Sequence, residues 1–352
     1  LTTKGAGTGG GGGGGGDKPN YWTISGWGLT PYDALANIKT KVSRRIKFAH
    51  AQLYLFSERM ARTVGVMPIL NAVGRSRQSR RIITLGVVKD DKVEEMLTAN
   101  IPIETSNIQG LNKLINLSLE EMAGTTAEQV RDFFIKLEQP GIDPYVVALE
   151  LTEADTRKQN TKDAAPYPGM DSPIRIIGKY AFRGGQLAGL LDYRETRGCN
   201  WIVGKVKEAT LIVKYPGEEG ILVDITASEA ECKITPYFYE GKPAIKVQIR
   251  AEGRINNVTG HSEIKNNLEL MESLNRRMAE VIRNDIESAI AKAKKLHSDV
   301  FGFGFAFYRT RYDRWKEMEM IWDELFSDLH VEIEVETEIT STGLVNSDPM
   351  GY

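Results

Sequence analysis

The sequence predicts an α+β protein of three domains, in which mixed β-sheets are packed with helices. Three observations predict it. Helix-type and strand-type periodicities alternate from Tyr21 to Leu97. Arg183-Gly184-Gly185 joins two apolar runs as a hairpin turn. In the last third, three strand-like runs precede a long amphipathic helix and a strictly alternating terminal strand. The expected boundaries are 1–116 for an N-terminal α/β-type domain, 117–205 for a small middle domain, and 206–352 for a C-terminal domain with the long helix on an antiparallel-rich sheet.

In chain order, the run Gly9 to Gly16 has no strand before it and no Gly-Lys-Ser/Thr after it, so residues 5–16 read as a flexible loop rather than a phosphate cradle. Thr30 is placed to cap a helix with Pro31 at its first position and Asp33 in its first turn; Ala34, Leu35, Ile38 and Val42 follow at helical spacing. A strand over Phe48, His50, Leu53, Leu55 and Phe56 is expected next, then a short helix from Met60 to Asn71, a buried strand from Arg81 to Val88 and a helix from Lys92 to Leu97.

In the middle block, Thr125 or Thr126 can cap a helix carrying Val130, Phe133, Phe134 and Leu137, which stops before Pro140-Gly141. Tyr145 to Leu151 reads as a strand, Thr152 to Pro173 as a polar loop, and Ile174 to Phe182 with Gln186 to Leu191 as the hairpin.

The last block has strands over Ala209 to Lys214, Gly220 to Lys233 and Ala244 to Val258, with turns at Pro216-Gly217 and Gly241-Lys242-Pro243. Ile264, Leu268, Met271, Leu274, Met278, Ile282, Ile286, Ile290 and Ala293 form one helical stripe. Trp315, Met318, Ile321, Trp322, Leu325 and Phe326 suggest a second amphipathic helix. In the terminal strand Val331, Ile333, Val335 and Ile339 face in, while Glu332, Glu334, Glu336 and Glu338 face out.

Composition narrows the function. Acidic and basic counts of 47 and 45 leave a net charge of -2, which argues against a nucleic-acid binder. The basic clusters Arg44-Arg45 and Arg75 to Arg81 are short and read first as solvated loop charges, with phosphate or lipid headgroups as the alternative. Cys199 and Cys232 lack zinc-type spacing and read first as two buried free thiols, with a single disulfide as the alternative. No stretch reaches the ~18 to 20 apolar residues of a membrane span. Leu1 in place of an initiator methionine leads us to expect a fragment or processed chain.

Candidate site residues read mainly as structure. His50 lies in an apolar strand, and His261, His297 and His330 have no metal-ligand spacing. Asp299 is expected to bond backbone amides in a turn, with Gly302 and Gly304 supplying backbone freedom. Trp315 and Trp322, seven residues apart, belong to a core. No nucleophile elbow, Cys/His dyad or nucleotide fingerprint is present, so no catalytic residue, metal or cofactor is expected. The Glu332, Glu334, Glu336 and Glu338 row remains the candidate partner-contact surface.

The segment Lys295-Leu296-His297-Ser298-Asp299-Val300-Phe301-Gly302-Phe303-Gly304, continuing through Arg309, Trp315-Lys316, Trp322, Val331-Glu332-Ile333 and Thr342-Gly343, resembles the Ger(x)C family of spore germination proteins. Gly178 to Gly198, a strand, turn and strand ending in the Glu195-Thr196-Arg197-Gly198 run, is similar to the same family, and Gly28-Leu29-Thr30 with Ala34, the His50 strand and Arg75 before the Ile82 strand match it more loosely. The resemblance implies a lipoprotein at the outer face of the spore inner membrane, a non-catalytic subunit acting with integral membrane A-type and B-type subunits of a nutrient germinant receptor. The acylated cysteine and the family's first strand are expected to lie upstream of these residues. Two rival functions are carried beside it: a domain that binds the germinant directly, and a spore-envelope hydrolase.

Overall fold

The computed structural model describes residues 2–4, 21–43, 46, 51–75, 82–99, 107–152, 174–259 and 268–341. A short antiparallel pair, β1 (Thr2–Lys4) and β2 (Tyr21–Thr23), precedes α1 (Pro31–Lys39), which Thr30 caps by accepting the Asp33 amide. The chain then alternates β3 (Leu53–Ser57), α2 (Glu58–Thr63), α3 (Met67–Gly74), β4 (Thr84–Val88), α4 (Val93–Thr98), α5 (Asn107–Met122), α6 (Val130–Glu138) and β5 (Tyr145–Leu151). The hairpin β6 (Ile174–Arg183) and β7 (Gln186–Leu191) follows, turning at Gly184 as its glycines predicted.

These strands make one five-stranded sheet in the order β3-β4-β5-β6-β7, parallel across β3, β4 and β5 and antiparallel thereafter. Apolar cores lie on its two faces: Leu70, Phe133 and Phe182 belong to one, Met96, Leu111 and Ile115 to the other. The sheet thus draws strands from both sides of the boundary expected at 116/117, and α5 runs through that position.

Helix α7 (Tyr193–Ile202) leads into the second sheet, β8 (Glu208–Lys214), β9 (Leu222–Tyr239) and β10 (Lys242–Val258), followed by the 28-residue α8 (Leu268–Lys295). After α9 (Phe303–Thr310), α10 (Tyr312–Met318) and α11 (Trp322–Ser327), the edge strand β11 (His330–Ser341) closes it in the order β11-β10-β9-β8. The pairs β8–β9 and β9–β10 are antiparallel and β10–β11 is parallel. The largest core lies under this sheet and also takes in Tyr145, Ala181 and Leu191 of the first, so the two sheets share one apolar interior.

Several expectations are corrected. The Met60 to Asn71 helix is two helices: Gly65 takes a left-handed φ of 80°, and the Val66 amide donates to the Gly185 carbonyl instead of continuing the turn. Neither Thr125 nor Thr126 caps α6. Both are buried, bonding the Gly178 carbonyl and Glu128, and the helix starts after Gln129, whose amide donates to Asp132. The β9–β10 turn is Glu240-Gly241, with φ of 50° and 77°, while Lys242 and Pro243 are already strand.

The second amphipathic helix is split by a 3-10 turn at Glu319–Ile321 into α10 and α11; Trp315, Met318, Trp322 and Phe326 are buried, but Ile321 faces solvent. Leu268 is 77% exposed, at the start of α8, whereas Asp285 of the same helix is buried. Cys199 is buried, Cys232 is half-buried, and both are free thiols. The glycine run, Phe48, His50, His261, Ile264 and 153–173 lie outside the described residues.

Trp322 sits in a cage of rings, 5.3 Å from Trp315 and 5.7 Å from Phe307 between centroids. Trp322→Ala should therefore destabilise the fold by about 3 to 5 kcal/mol. Chemical denaturation measures this, and a wild-type midpoint would show that the indole is not part of the core.

Candidate functional site

The signature residues of the last third converge on a turn. After α8 the chain enters residues 298–302 with Asp299 at 3% exposure. Its Oδ1 accepts from the amides of Gly302 (2.9 Å) and Phe303 (3.1 Å), and its Oδ2 from the Gly304 amide (2.8 Å) and the Trp322 indole (3.1 Å). Gly302 holds φ at 76°, as a residue closing such a turn requires. Gly304 is needed for space: a Cβ there would lie 2.6 Å from Trp322 Nε1 and 2.7 Å from Gly141 Cα. The amide-binding role expected of Asp299 is what the structure shows, with the Trp322 indole as an additional donor.

The same turn fastens the second sheet to the first. The Asp299 amide donates to Asp143 Oδ2 (3.0 Å), and the Asp143 amide returns a bond to the Asp299 carbonyl (2.9 Å). Asp143 Oδ1 accepts the Gly184 amide of the hairpin turn (3.1 Å), and Ser298 Oγ donates to the Phe182 carbonyl (2.7 Å). Burial raises both carboxyls, Asp143 to about 6 and Asp299 to about 7, against the opposing pull of their N–H donors.

The Glu195-Thr196-Arg197-Gly198 run is equally absorbed by packing. Asp192 and Glu195 form a reciprocal capping box at the start of α7, and Thr196 Oγ1 donates to the Leu191 carbonyl (3.1 Å). Arg194 and Arg197 pair with the buried Asp285 of α8 at 3.1 and 2.6 Å. A Cβ on Gly198 would lie 2.0 Å from the Asp285 carbonyl oxygen, so α7 and α8 touch backbone to side-chain-free surface.

A buried polar cluster escaped the sequence reading. Lys179 of β6 is fully buried, donating to Asn200 Oδ1 (2.9 Å) and approaching Cys199 Sγ (3.5 Å), with its ammonium 4.1 Å from the centre of the Tyr145 ring. Burial lowers its pKa. Burial also pushes Glu128 up, but Lys136 and Lys205, both paired with it, prevail and hold it below the ordinary carboxylate value. Asn200 donates to the Ala123 and Thr125 carbonyls (2.7 and 2.8 Å). The available signal was a single lysine within the run Ile176 to Phe182. Its closed hydrogen bonding and lack of exposure make this a structural ammonium site.

The acidic row lies where alternation placed it, on the outward face of β11, but it is not a bare negative surface. In the parallel register each glutamate opposes a residue of β10. Lys246 bridges Glu332 (3.0 Å) and Glu334 (3.1 Å), Gln248 donates to Glu334 (2.8 Å) and Arg250 pairs with Glu336 (3.0 Å). Gln248, then Lys246, hold Glu334 below its ordinary pKa. Only Glu338 meets a like charge, Glu252.

Along this row, Glu231, Lys233, Gln248, Arg250, Glu334 and Glu336, with Cys232 and Ile249 between them, line an open groove of mixed polarity of about 310 Å³. The outer edge of β11 is covered in part by α8: Arg283 donates to the Ile333 carbonyl and Asn275 Oδ1 accepts the Ile339 amide (2.8 Å), while Lys294 donates to the carbonyl of Leu329 just before the strand.

Among the described residues no cluster of metal ligands occurs. His297 Nδ1 bonds Ser327 Oγ (2.8 Å) and His330 stacks on Tyr239 with centroids 5.3 Å apart, so the two described histidines serve separate contacts.

Comparison with known proteins agrees with these motifs. Residues 2–151 match the family description "Spore germination protein N-terminal domain", and residues 177–343 match "Spore germination B3/ GerAC like, C-terminal". The chain belongs to the Ger(x)C family of spore germination proteins. It is similar to spore germination protein KC of Bacillus subtilis (strain 168), 25% identical over 94% of this chain and 81% of that protein. Spore germination protein B3 of the same organism is 20% identical over 93% and 83%.

The crystal structure of the GerBC protein superposes with a TM-score of 0.62 at 15% identity, covering 88% of this chain and 84% of the other. That match shares the α+β fold. The Ger(x)C motifs are thus, in this chain, the residues that hold a turn, a helix pair and the seam between two sheets.

The two raised carboxyls set a pH dependence. Each ionises at a higher pH in the folded chain than in the unfolded one, so their stabilising contribution is complete below about pH 4 and is lost as pH rises through 6 and 7. The melting temperature should fall between about pH 5 and pH 8, and Asp143→Asn, which cannot ionise, should flatten that slope. Thermal unfolding across this range checks it; equal slopes would locate the titration elsewhere.

Proposed function

We propose that this chain is the non-catalytic, lipid-anchored subunit of a spore nutrient germinant receptor, held at the outer face of the inner membrane. It contributes to germination signalling through contacts with the integral membrane A-type and B-type subunits. The observation that carries this reading is where the family's signature residues go. Asp299, Gly304, Trp322, Thr196, Arg197 and Gly198 are consumed by internal contacts, which supports a rigid scaffold over a reaction centre. None of the matched relatives is named as an enzyme.

The surface offered to partners is the outward face of the second sheet. Its inward face is covered by α7 and α8, while Lys246, Gln248, Arg250 and the glutamates of β11 leave the opposite side polar and open. Charges already paired within a sheet do not attract a partner by net field. They offer a fixed alternation of donors and acceptors, and such an array sets register and specificity more than raw affinity. Tethering to the membrane then raises the local concentration of the partner subunits, so modest contacts suffice.

The test is co-purification of the full-length lipoprotein from spore membranes. Wild type should bring the integral subunits with it. Glu334→Lys combined with Glu336→Lys should leave the circular dichroism spectrum unchanged, because both side chains are solvent-facing, while lowering the recovered subunits by about tenfold. Undiminished recovery would remove this face from the interface.

A further inference from the structure

The loop between β2 and α1 displays its apolar side chains by construction. Gly26 and Gly28 alternate with Trp27 and Leu29. A Cβ on Gly26 would lie 2.4 Å from Ile38 Cγ1, and one on Gly28 would lie 2.2 Å from the Ala34 nitrogen. Both glycines therefore press against α1, and the side chains between them are turned away from it. Trp27 is 75% exposed and Leu29 93%.

The loop is pinned on both sides: the Leu29 amide donates to Asp33 Oδ2 (2.9 Å) and Lys41 Nζ to the Ser25 carbonyl (3.0 Å). Tyr32 stands beside them, also exposed, its hydroxyl donating to the Ala72 carbonyl of α3 (3.0 Å).

The charge around this prong is cationic. Exposed Lys39, Lys41 and, at the end of α3, Arg75 flank it. Against these three cations, the described residues of the loop and α1 carry one acid, Asp33, which is occupied by the Leu29 amide. A tryptophan and a leucine exposed on one loop, with a half-exposed tyrosine of α1 beside them and lysines and an arginine nearby, match the chemistry of an anionic bilayer surface. There the rings and the aliphatic chain enter the headgroup boundary and the cations meet lipid phosphates. A protein partner would have to supply a pocket for each prong and a complementary acidic rim.

We infer that Trp27 and Leu29, with Tyr32 and the flanking basic residues, form a membrane-contact site for anionic phospholipid, independent of any covalent lipid. It goes beyond the receptor role proposed above and would fix which end of the molecule faces the membrane.

Vesicle flotation of this chain tests it without any receptor subunit present, so its failure would leave the assembly reading standing. Wild type should float with phosphatidylcholine vesicles containing about one-third phosphatidylglycerol and much less with phosphatidylcholine alone, the difference shrinking as salt is raised. Trp27→Ser with Leu29→Ser should lower binding about tenfold or more while leaving the melting temperature unchanged. Lys39→Glu with Arg75→Glu should weaken binding to the anionic vesicles only.

Failure of wild type to float with anionic vesicles, or flotation of the Trp27/Leu29 variant like wild type, would overturn the inference. If that variant instead kept its vesicle binding but lost the integral subunits on co-purification, the prong would be a protein contact, and the lipid assignment would fall.

Discussion

Asp299 receives four N–H groups on one buried carboxylate, and its own amide and carbonyl are both engaged by Asp143. A buried acceptor left without its donors costs about 1 to 3 kcal/mol, more when charged. The geometry of the 298–304 turn, the position of the Trp322 indole and the approach of Gly304 to Gly141 are therefore fixed together. Because Asp143 also takes the Gly184 amide, one pair of side chains ties the loop after α8, the entry to β5 and the β6–β7 turn. The seam between the sheets is thus polar at its centre, while the shared core beside it supplies the bulk of the apolar burial.

Around this seam the molecule repeats one device, a charged group buried only where its partners are preset. Asp285 lies between two arginines of α7, Glu128 between two lysines, and Lys179 against an amide oxygen and a ring face. Removing one member of such a set leaves an uncompensated buried charge, so these groups act as keys for register and helix pairing. Of the motif residues shared with the family, Arg194 and Arg197 take part in one of these sets.

The exterior is organised differently in each half. On the second sheet, outward charges are matched strand to strand and the β11 edge is covered in part by α8, which hinders that edge from recruiting further strands. On the first, the loop before α1 leaves large apolar side chains uncovered. The second sheet thus shows paired charge to solvent, and the loop before α1 shows unpaired apolar side chains.

How much of this was legible beforehand follows from the range of each interaction. Local signals carried far: Thr30-Pro31 fixed the start of α1, Gly184-Gly185 the hairpin, and the alternation from Val331 to Ile339 the facing of β11, because caps, turns and pleats depend on neighbours in sequence. The turn-forming role of Asp299 was readable for the same reason.

What the sequence by itself could not determine lies at long range. The split of one expected helix at Gly65, the displacement of the α6 cap from Thr125 and Thr126 to Gln129, and the burial of Lys179 and Asp285 were all decided by partners far away in the chain. The neutralising of the glutamate row by Lys246 and Arg250 likewise required the β10–β11 register. Periodicity reports which way a side chain points. Only the tertiary structure reports what is waiting there.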